Sequence, residues 1–161
     1  PRANRDFWLQ DRSGAVKVFF LTDDTANHAT FNVRVGQRID LRVTQMTNFG
    51  GLPEVTAVAP GSWSLSDEGT EVYIDDRTGR RITGTDVSRL VRVTGIVEGA
   101  GNECGMSRCY QLSYGAQAPV TLRTASTFVE TGDCVTFVGP VALFEGSAQL
   151  DSFNFDWLWI N

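Results

Sequence analysis

The sequence predicts an all-β protein made of two small β-barrels in tandem. Short runs rich in β-branched and aromatic residues recur along its 161 residues, and glycine-containing turns separate them. This pattern begins again after the Ala-Pro-Gly-Ser stretch at residues 59–62. We therefore expect one barrel at residues 1–62, and a linker with a second barrel at residues 63–161.

Three stretches define the first barrel. Residues 7–10 and 15–20 form the arms of a predicted hairpin, because a glycine ends the Asp-Arg-Ser-Gly turn between them. Residues 37–46 alternate between apolar and polar side chains, as a half-buried strand does. A turn at residues 48–51 then leads into a predicted return strand at residues 52–58.

The second half repeats this organisation with more strands. Gly36-Gln-Arg-Ile-Asp-Leu and Gly132-Asp-Cys-Val-Thr-Phe occupy matching places in the two halves. The predicted strands are residues 71–74, 90–97, 109–114, 120–124, 135–144 and 148–160.

Four aromatic side chains alternate along the last predicted strand. Because they recur with a period of two, all of them lie on one face of the predicted strand. The preferred interpretation of this face is a core face or a contact between barrels, and the second is a surface on which sugars or bases stack. They are Phe153, Phe155, Trp157 and Trp159.

The residue inventory argues against an enzyme. The one histidine, His28, lies in a polar loop segment with no nucleophile beside it. Asp23–Asp24 and Asp75–Asp76 are pairs of adjacent acids. Because neighbours in a strand point to opposite faces, such a pair is a poor acid–base dyad. No phosphate-binding loop, dinucleotide fingerprint or zinc-protease motif occurs, so we expect no catalytic residues, no cofactor and no metal.

Three cysteines leave the disulfide state open. Cys104 and Cys109 close a short loop, so they are the preferred pair in an oxidising compartment, with Cys134 left over. The two other single bridges and the fully reduced form remain alternatives. The spacing matches no zinc finger.

Charge limits the range of partners. The net charge is −5, which argues against a strongly basic nucleic-acid binder but leaves a local basic groove open. Residues 1–62 carry seven basic and six acidic side chains, whereas residues 63–161 carry seven and thirteen. The two halves are therefore not expected to share one electrostatic role. No apolar run is long enough to span a membrane.

A family resemblance rests on three segments of the first half. FWLQDRSGAVKVF at residues 7–19, VGQRIDL at residues 35–41 and TNFGGLPEV at residues 47–55 resemble the OB-fold domain of secreted bacterial proteins, which often lies beside extracellular nucleases. SRLVRVTG at residues 88–95 resembles the opening of a second such domain. The resemblance implies two tandem OB-fold-like barrels and an extracellular or cell-envelope location.

The chain departs from this family in two respects. The nuclease domain is absent, so no nuclease residue can be carried over. The first barrel lacks its opening strand, because residues 1–6 are too short and too polar to form it. We expect either that the chain is part of a longer protein, or that another segment or another chain fills the gap at the open sheet edge.

Alternation also predicts a ligand face on the first barrel. If Leu9, Val16, Val18 and Phe20 face the core, their neighbours in sequence face outward. OB folds bind ligands on this side, where aromatic rings stack on bases and cations meet phosphates. The alternative is that Trp8 or Phe19 packs on neighbouring segments. The candidate ligand-binding residues are Trp8, Gln10, Lys17, Phe19, Arg38 and Arg42.

Two functions follow as expectations. The first is a non-catalytic extracellular binding module whose first barrel takes single-stranded nucleic acid, as the resemblance and the aromatic and basic face imply. The second is a structural or protein-interaction module of a bacterial surface assembly, completed by a strand donated by another chain or another part of the same protein.

Overall fold

The computed structural model describes residues 6–19, 33–67, 71–152 and 157–161. These residues form eleven β-strands and one short 3-10 helix, and the chain divides into two compact units at residues 1–73 and 74–161. We call these unit 1 and unit 2. The prediction of an all-β protein with barrel-like units is confirmed.

Unit 1 is a four-stranded sheet. Its strands follow the order β1-β2-β4-β3, in which β2 and β4 run parallel and the other neighbours run antiparallel. The strands are β1 (Asp6–Gln10), β2 (Ala15–Phe19), β3 (Arg38–Phe49) and β4 (Leu52–Ser66).

The division between the units follows Tyr73, whereas the sequence predicts it after Ser62. Strand β4 continues through Ser62 and stays paired with β3 as far as Ser66. Two side-chain hydrogen bonds hold the following segment to unit 1: Gln37 Nε2 donates to Asp67 Oδ1 at 2.6 Å, and Gln10 Nε2 donates to the carbonyl oxygen of Tyr73 at 3.0 Å.

Unit 2 contains a closed ring of five strands. Around this ring β6 pairs with β7, β7 with β8, β8 with β10, β10 with β9, and β9 again with β6. Of the five pairings in this ring, only the one between β8 and β10 is parallel. The strands of unit 2 are β5 (Asp75–Asp76), β6 (Leu90–Cys104), β7 (Ser107–Ser113), β8 (Val120–Thr124), β9 (Cys134–Phe144), β10 (Ser147–Ser152) and β11 (Leu158–Ile160).

The remaining elements of unit 2 lie outside the ring. Strand β5 adds to the edge of β6, and β11 adds to β9. The strand predicted at residues 71–74 is wrong, because pairing is confined to Asp75 and Asp76. The 3-10 helix spans Gly84–Asp86 and precedes β6.

The two units share one pairing register. In each unit, two strands form an antiparallel hairpin, which is β1–β2 in unit 1 and β7–β8 in unit 2. The second strand of the hairpin then pairs in parallel with a later strand, which is β4 in unit 1 and β10 in unit 2. The equivalent pairs are Leu9–Val16 and Leu112–Val120 in the hairpins, and Val18–Val55 and Leu122–Leu150 in the parallel contacts. Unit 1 therefore has counterparts of β7, β8, β9 and β10, and among the described residues it has no counterpart of β6.

The cores differ in size. The described part of unit 2 has fifteen buried hydrophobic side chains in one cluster, whereas that of unit 1 has three, namely Val18, Val55 and Val58. The other apolar side chains that pack on the unit 1 core are only partly buried: Phe7, Leu9, Val16, Val33, Ile39, Leu41 and Trp63. Among the described residues, unit 1 thus has the smaller buried core.

Strand β6 contains a glycine where β7 approaches it closely. A Cβ atom at Gly95 would collide with the carbonyl oxygen of Ser113, which is main chain and cannot move aside cheaply. Glycine at this position lets the backbones of β6 and β7 approach each other this closely.

Candidate functional site

The hairpin of unit 1 has one face toward the core and one face outward. Leu9, Val16 and Val18 pack in the core cluster, as the alternation predicts. Phe20, which the sequence also assigns to the core, lies outside the described residues. The residues between them in sequence therefore lie on the opposite face of β1 and β2.

Three of the predicted ligand-binding residues meet on this outer face. Trp8 and Lys17 are directly cross-strand, and Phe19 follows two residues along β2. The Nζ atom of Lys17 lies 5.8 Å from the ring centroid of Trp8 and 5.1 Å from that of Phe19. This geometry falls within the range of cation–π contacts. We call Trp8, Lys17 and Phe19 the aromatic face.

Glu54 neutralises the cation of the aromatic face. It lies beside Lys17 in the parallel β2–β4 pairing, and its Oε1 atom is 3.0 Å from Lys17 Nζ. Glu54 is only 4% exposed, so this ion pair is largely withdrawn from water. The face consequently offers aromatic rings more than an available positive charge.

Gln10 lies on the same side of β1, but its side chain forms a hydrogen bond within unit 1. Its side-chain amide donates to the carbonyl oxygen of Tyr73. Gln10 therefore fixes the segment that follows β4, and its part in ligand binding stays a prediction.

The two predicted arginines lie apart from the aromatic face. Arg38 pairs with Ser66 at the far end of β4, whereas Lys17 lies beside Glu54 near its beginning. Arg38 Nε is 3.3 Å from Asp40 Oδ2, and both side chains are exposed. Arg42 is exposed at the register shift between Leu41 and Val43, where its backbone N–H donates to Ser62 Oγ at 3.4 Å. The two arginines thus do not join the three residues of the aromatic face.

Glu54 is a residue of the site that sequence reasoning missed. A single acidic residue within the apolar stretch LPEVTAV is the signal that could have drawn attention to it. Its contact with Lys17 depends on a parallel pairing between strands that are distant in sequence, which local alternation does not reveal.

The aromatic face is particular to unit 1. In the shared register the positions of Trp8, Lys17 and Phe19 correspond to those of Gln111, Thr121 and Arg123 in unit 2. The common frame therefore does not require aromatic side chains at these places.

Unit 2 has a shallow groove on the outer side of its ring, with a cavity volume of about 360 Å³. Trp159 is 47% exposed there, and the hydroxyl oxygens of Thr94 and Thr136 lie 2.9 Å apart. Trp157, from the same predicted aromatic stripe, instead packs against the core, while Phe153 and Phe155 lie outside the described residues. The groove is lined by Arg92, Thr94, Thr136, Val138, Trp159 and Asn161.

A disulfide joins Cys104 and Cys109 at the tip of the β6–β7 hairpin. Cys134 is a free, partly buried thiol that accepts a hydrogen bond from Asn161 Nδ2 at 3.6 Å. Arg123 reaches the same hairpin and donates to the carbonyl oxygen of Cys104 at 3.4 Å.

The acidic residues of β5 have separate partners. Asp75 is 3.0 Å from an Nη atom of Arg77, whereas Asp76 accepts a hydrogen bond from the backbone N–H of Thr78 at 2.9 Å. That hydrogen bond, the Thr78 hydroxyl and the nearby Arg92 and Arg80 lower the pKa of Asp76 below its usual value. His28 and the Asp23–Asp24 pair lie outside the described residues.

Within the described ranges, no three His, Cys, Asp or Glu residues are grouped so that they could hold a metal ion. In the same ranges, no helix is both long enough and apolar enough to cross a membrane. Comparison of the chain with models of known protein families and with curated proteins finds no match.

Proposed function

We propose that the chain is a non-catalytic protein-interaction module of a bacterial surface assembly, built from two OB-type units, the first of which has four strands among its described residues. An OB fold is a five-stranded Greek-key barrel, and a ring with one parallel contact between its third and fifth strands, like β8 and β10, agrees with that architecture. Unit 1 repeats the last four strands of this arrangement. The disulfide in unit 2 supports an oxidising, extracellular or envelope location.

The burial of equivalent core positions carries the proposal. Leu112 is fully buried in unit 2, whereas its counterpart Leu9 is only partly buried in unit 1. Exposed apolar surface of this kind is characteristic of interaction sites. Among the described residues, unit 1 therefore has partly exposed apolar side chains such as Leu9 on which a partner could pack.

Electrostatics favour a polypeptide over a polyanion. Lys17 is paired with Glu54, Arg38 is paired with Asp40, and the whole chain carries a net charge of −5. Each of these features weakens the attraction to phosphates on which nucleic-acid binding depends.

Selection from a random peptide library displayed on phage tests the interaction role. We expect selected peptides to bind the immobilised protein and to shift backbone amide resonances of unit 1. Peptides that bind only unit 2, or no enrichment above a β-sandwich control protein, would contradict the proposal.

Single-stranded nucleic acid is a second candidate ligand, favoured by one observation. The aromatic face places two rings around Lys17 on the side of the hairpin that OB folds use, and the equivalent positions in unit 2 carry no aromatic residues. Stacking of one base on such a ring is worth about 1–3 kcal/mol.

Binding of labelled oligo-dT at low salt tests this second candidate. If it holds, Trp8→Ala weakens binding about tenfold, and affinity falls steeply as salt rises. Gln111→Ala, at the equivalent position of unit 2, is the matched control and should leave binding unchanged. An affinity that is indifferent to Trp8→Ala would remove nucleic acid as a ligand of this face.

A further inference from the structure

We propose that unit 2 binds a neutral sugar in the shallow groove on the outer side of its ring. The groove has a cavity volume of about 360 Å³ and is lined by side chains of β6, β9 and β11, together with Asn161. We call it the Trp159 groove. This inference concerns unit 2 alone, so it goes beyond the interaction role proposed for unit 1 and does not depend on it.

Strand register places an aromatic ring and two hydroxyl groups in one row across the Trp159 groove. Trp159 on β11 pairs with Thr136 on β9, and Thr136 pairs with Thr94 on β6. Two of their neighbours in sequence, Phe137 and Val93, are fully buried in the core. Because successive side chains of a strand point to opposite faces, the three residues of the row point outward. The row therefore presents a flat apolar ring beside polar groups.

The ring of Trp159 is accessible to a ligand. Its side chain is 47% exposed, whereas Trp157, two residues earlier, packs against the core. The C–H groups on one face of a sugar ring can pack on an exposed indole, because the contact removes apolar area of both partners from water. Trp159 thus provides the stacking surface of the groove.

The polar side of the groove combines hydrogen-bond donors and acceptors. Thr94 Oγ1 and Thr136 Oγ1 lie 2.9 Å apart, and Asn161 Nδ2 donates to Thr136 Oγ1 at 2.9 Å. The two hydroxyl groups have two hydrogens, and their mutual bond uses one of them. The other is left for a ligand or for the longer contact with Asn161 Oδ1 at 3.4 Å. Sugar hydroxyls also both donate and accept, so they match this pair of threonines.

Main-chain contacts hold the strands that carry these side chains. Strand β9 is paired with β6 on one side and with β11 on the other. Beyond β6, the backbone N–H of Thr94 donates to Thr78 Oγ1 at 3.0 Å, and the backbone N–H of Arg77 donates to the carbonyl oxygen of Arg92 at 2.8 Å. Because the groove is built on paired strands, a ligand would meet a largely ordered surface and bind at a low entropic cost.

The dimensions of the groove suit one or two sugar rings. Neighbouring strands are about 4.8 Å apart, so the row from Trp159 on β11 to Thr94 on β6 spans about 10 Å. This span lets one ring stack on Trp159 while its hydroxyls reach the threonines. A volume of about 360 Å³ lies near the lower end of the range for small-ligand sites.

Charge favours a neutral sugar over an anionic ligand. Arg92 is the one charged residue among the described side chains that line the groove, and the acidic Asp76 lies beside it in the β5–β6 register. Residues 63–161 carry seven basic and thirteen acidic side chains. These surroundings weaken the attraction to a polyanion. The guanidinium of Arg92 instead supplies further donors for sugar hydroxyls.

A glycan array and three free trisaccharides test the proposal. The array carries immobilised neutral glycans, and the free probes are maltotriose, cellotriose and chitotriose, titrated into the full chain with detection by tryptophan fluorescence and amide NMR. We expect saturable binding of at least one neutral probe in the millimolar range, as for a shallow site with few contacts. The largest amide shifts should occur in β9, β11 and the part of β6 that pairs with β9. Because the probes are uncharged, their affinity should not change with salt.

Variants of the groove locate the bound sugar. Trp159→Ala removes the stacking ring and should weaken binding about tenfold or more. Thr94→Val keeps the shape of the side chain but removes a hydroxyl, so binding should weaken several-fold. Ile160→Ala is the matched control, because Ile160 is the next residue of β11, is 44% exposed and lies on the opposite face. It should leave sugar binding unchanged, and circular dichroism checks that all three variants are folded.

Several outcomes would overturn the proposal. One is that no neutral glycan on the array and none of the three trisaccharides binds. Another is that Trp159→Ala binds the sugar as well as the wild type does. A loss of sugar binding in Trp8→Ala would place the sugar on the aromatic face of unit 1 instead. Salt-dependent binding of oligo-dT or trigalacturonate that disappears in Trp159→Ala, without binding of neutral probes, would mean that the groove takes an anion.

Discussion

Lys17 and Glu54 form an ion pair that is largely buried in unit 1, with side-chain exposures of 17% and 5%. Replacement of Lys17 by methionine would keep much of the side-chain volume but leave the carboxylate of Glu54 without its cation. We expect Lys17→Met to lower the free energy of unfolding of unit 1 by about 2–3 kcal/mol, below the usual cost for a fully buried pair because Lys17 retains some contact with water. Urea unfolding followed by tryptophan fluorescence measures this loss.

The double variant Lys17→Met/Glu54→Met is the control for this interpretation. Because a buried pair is often no more stabilising than apolar side chains of similar size, the double variant should regain most of the lost stability. A double variant less stable than Lys17→Met alone would mean that Glu54 has another essential contact.

Asp76 provides a pH-dependent contribution to the stability of unit 2. Its hydrogen bonds to Thr78 lower its pKa in the folded state below the usual value of 3.8, and Arg92 and Arg80 act in the same direction. The folded state therefore favours the ionised carboxylate. This stabilisation is present above pH 3.8 and is lost as the pH falls through the lowered folded-state value.

Asp76→Asn tests this dependence. Thermal unfolding between neutral pH and about pH 2 should show a smaller loss of stability in the variant than in the wild type over the acid range. Carbon NMR titration of the Asp76 carboxyl group gives the folded-state pKa directly. A value at or above 3.8 would contradict the assignment.

At the residue scale, alternation predicts which side chains of the hairpin share a face but not what lies next to them. Trp8 and Lys17 can be placed together because a tight turn fixes the register of the hairpin. The contact between Lys17 and Glu54 depends on a parallel pairing that no turn specifies. Local alternation also does not predict that Arg38 lies far from Lys17. That separation depends on the length of β4, which pairs with Lys17 near its beginning and with Arg38 at its end.

Gly95 determines whether β6 can take its place in the ring. Gly95→Ala would bring a Cβ atom against the carbonyl oxygen of Ser113, and the neighbouring backbone would have to shift. We expect a loss of about 2 kcal/mol in the stability of unit 2, as for other overpacked sites. Chemical denaturation monitored by circular dichroism measures it.

Gly84→Ala is the matched control for this prediction. A Cβ atom at Gly84 meets nothing within 4 Å, and the residue belongs to the same unit. Its stability should stay within about 1 kcal/mol of the wild type. Equal losses in the two variants would indicate a general effect of replacing glycine rather than the close approach of β7.

At the scale of elements, the sequence predicts most strands but not the pairings between distant strands that close the ring of unit 2. Residues 109–114 and 120–124 are recognisable from β-branched and aromatic residues around a glycine turn, and β7 and β8 lie there. The parallel contact between β8 and β10 joins segments that are distant in the chain, so no local pattern specifies it. The short β5 escapes prediction because only two residues pair.

At the scale of the whole molecule, the repetition of the two halves can be predicted, but the different sizes of the cores among the described residues are clear only from burial. The matching glycine-led segments predict a common frame. The extension of unit 1 to Tyr73 depends on the pairing of β4 up to Ser66 and on hydrogen bonds made by glutamine side chains. These contacts lie beyond a Pro-Gly signal that is typical of a boundary.

The unequal cores lead to a final prediction about a matched pair of leucines. Leu112→Ala removes a fully buried side chain and should lower the stability of unit 2 by about 3 kcal/mol. Leu9→Ala removes the equivalent, partly buried side chain and should cost unit 1 only about 1 kcal/mol. Differential scanning calorimetry of the full chain, with each variant shifting the transition of its own unit, measures both effects.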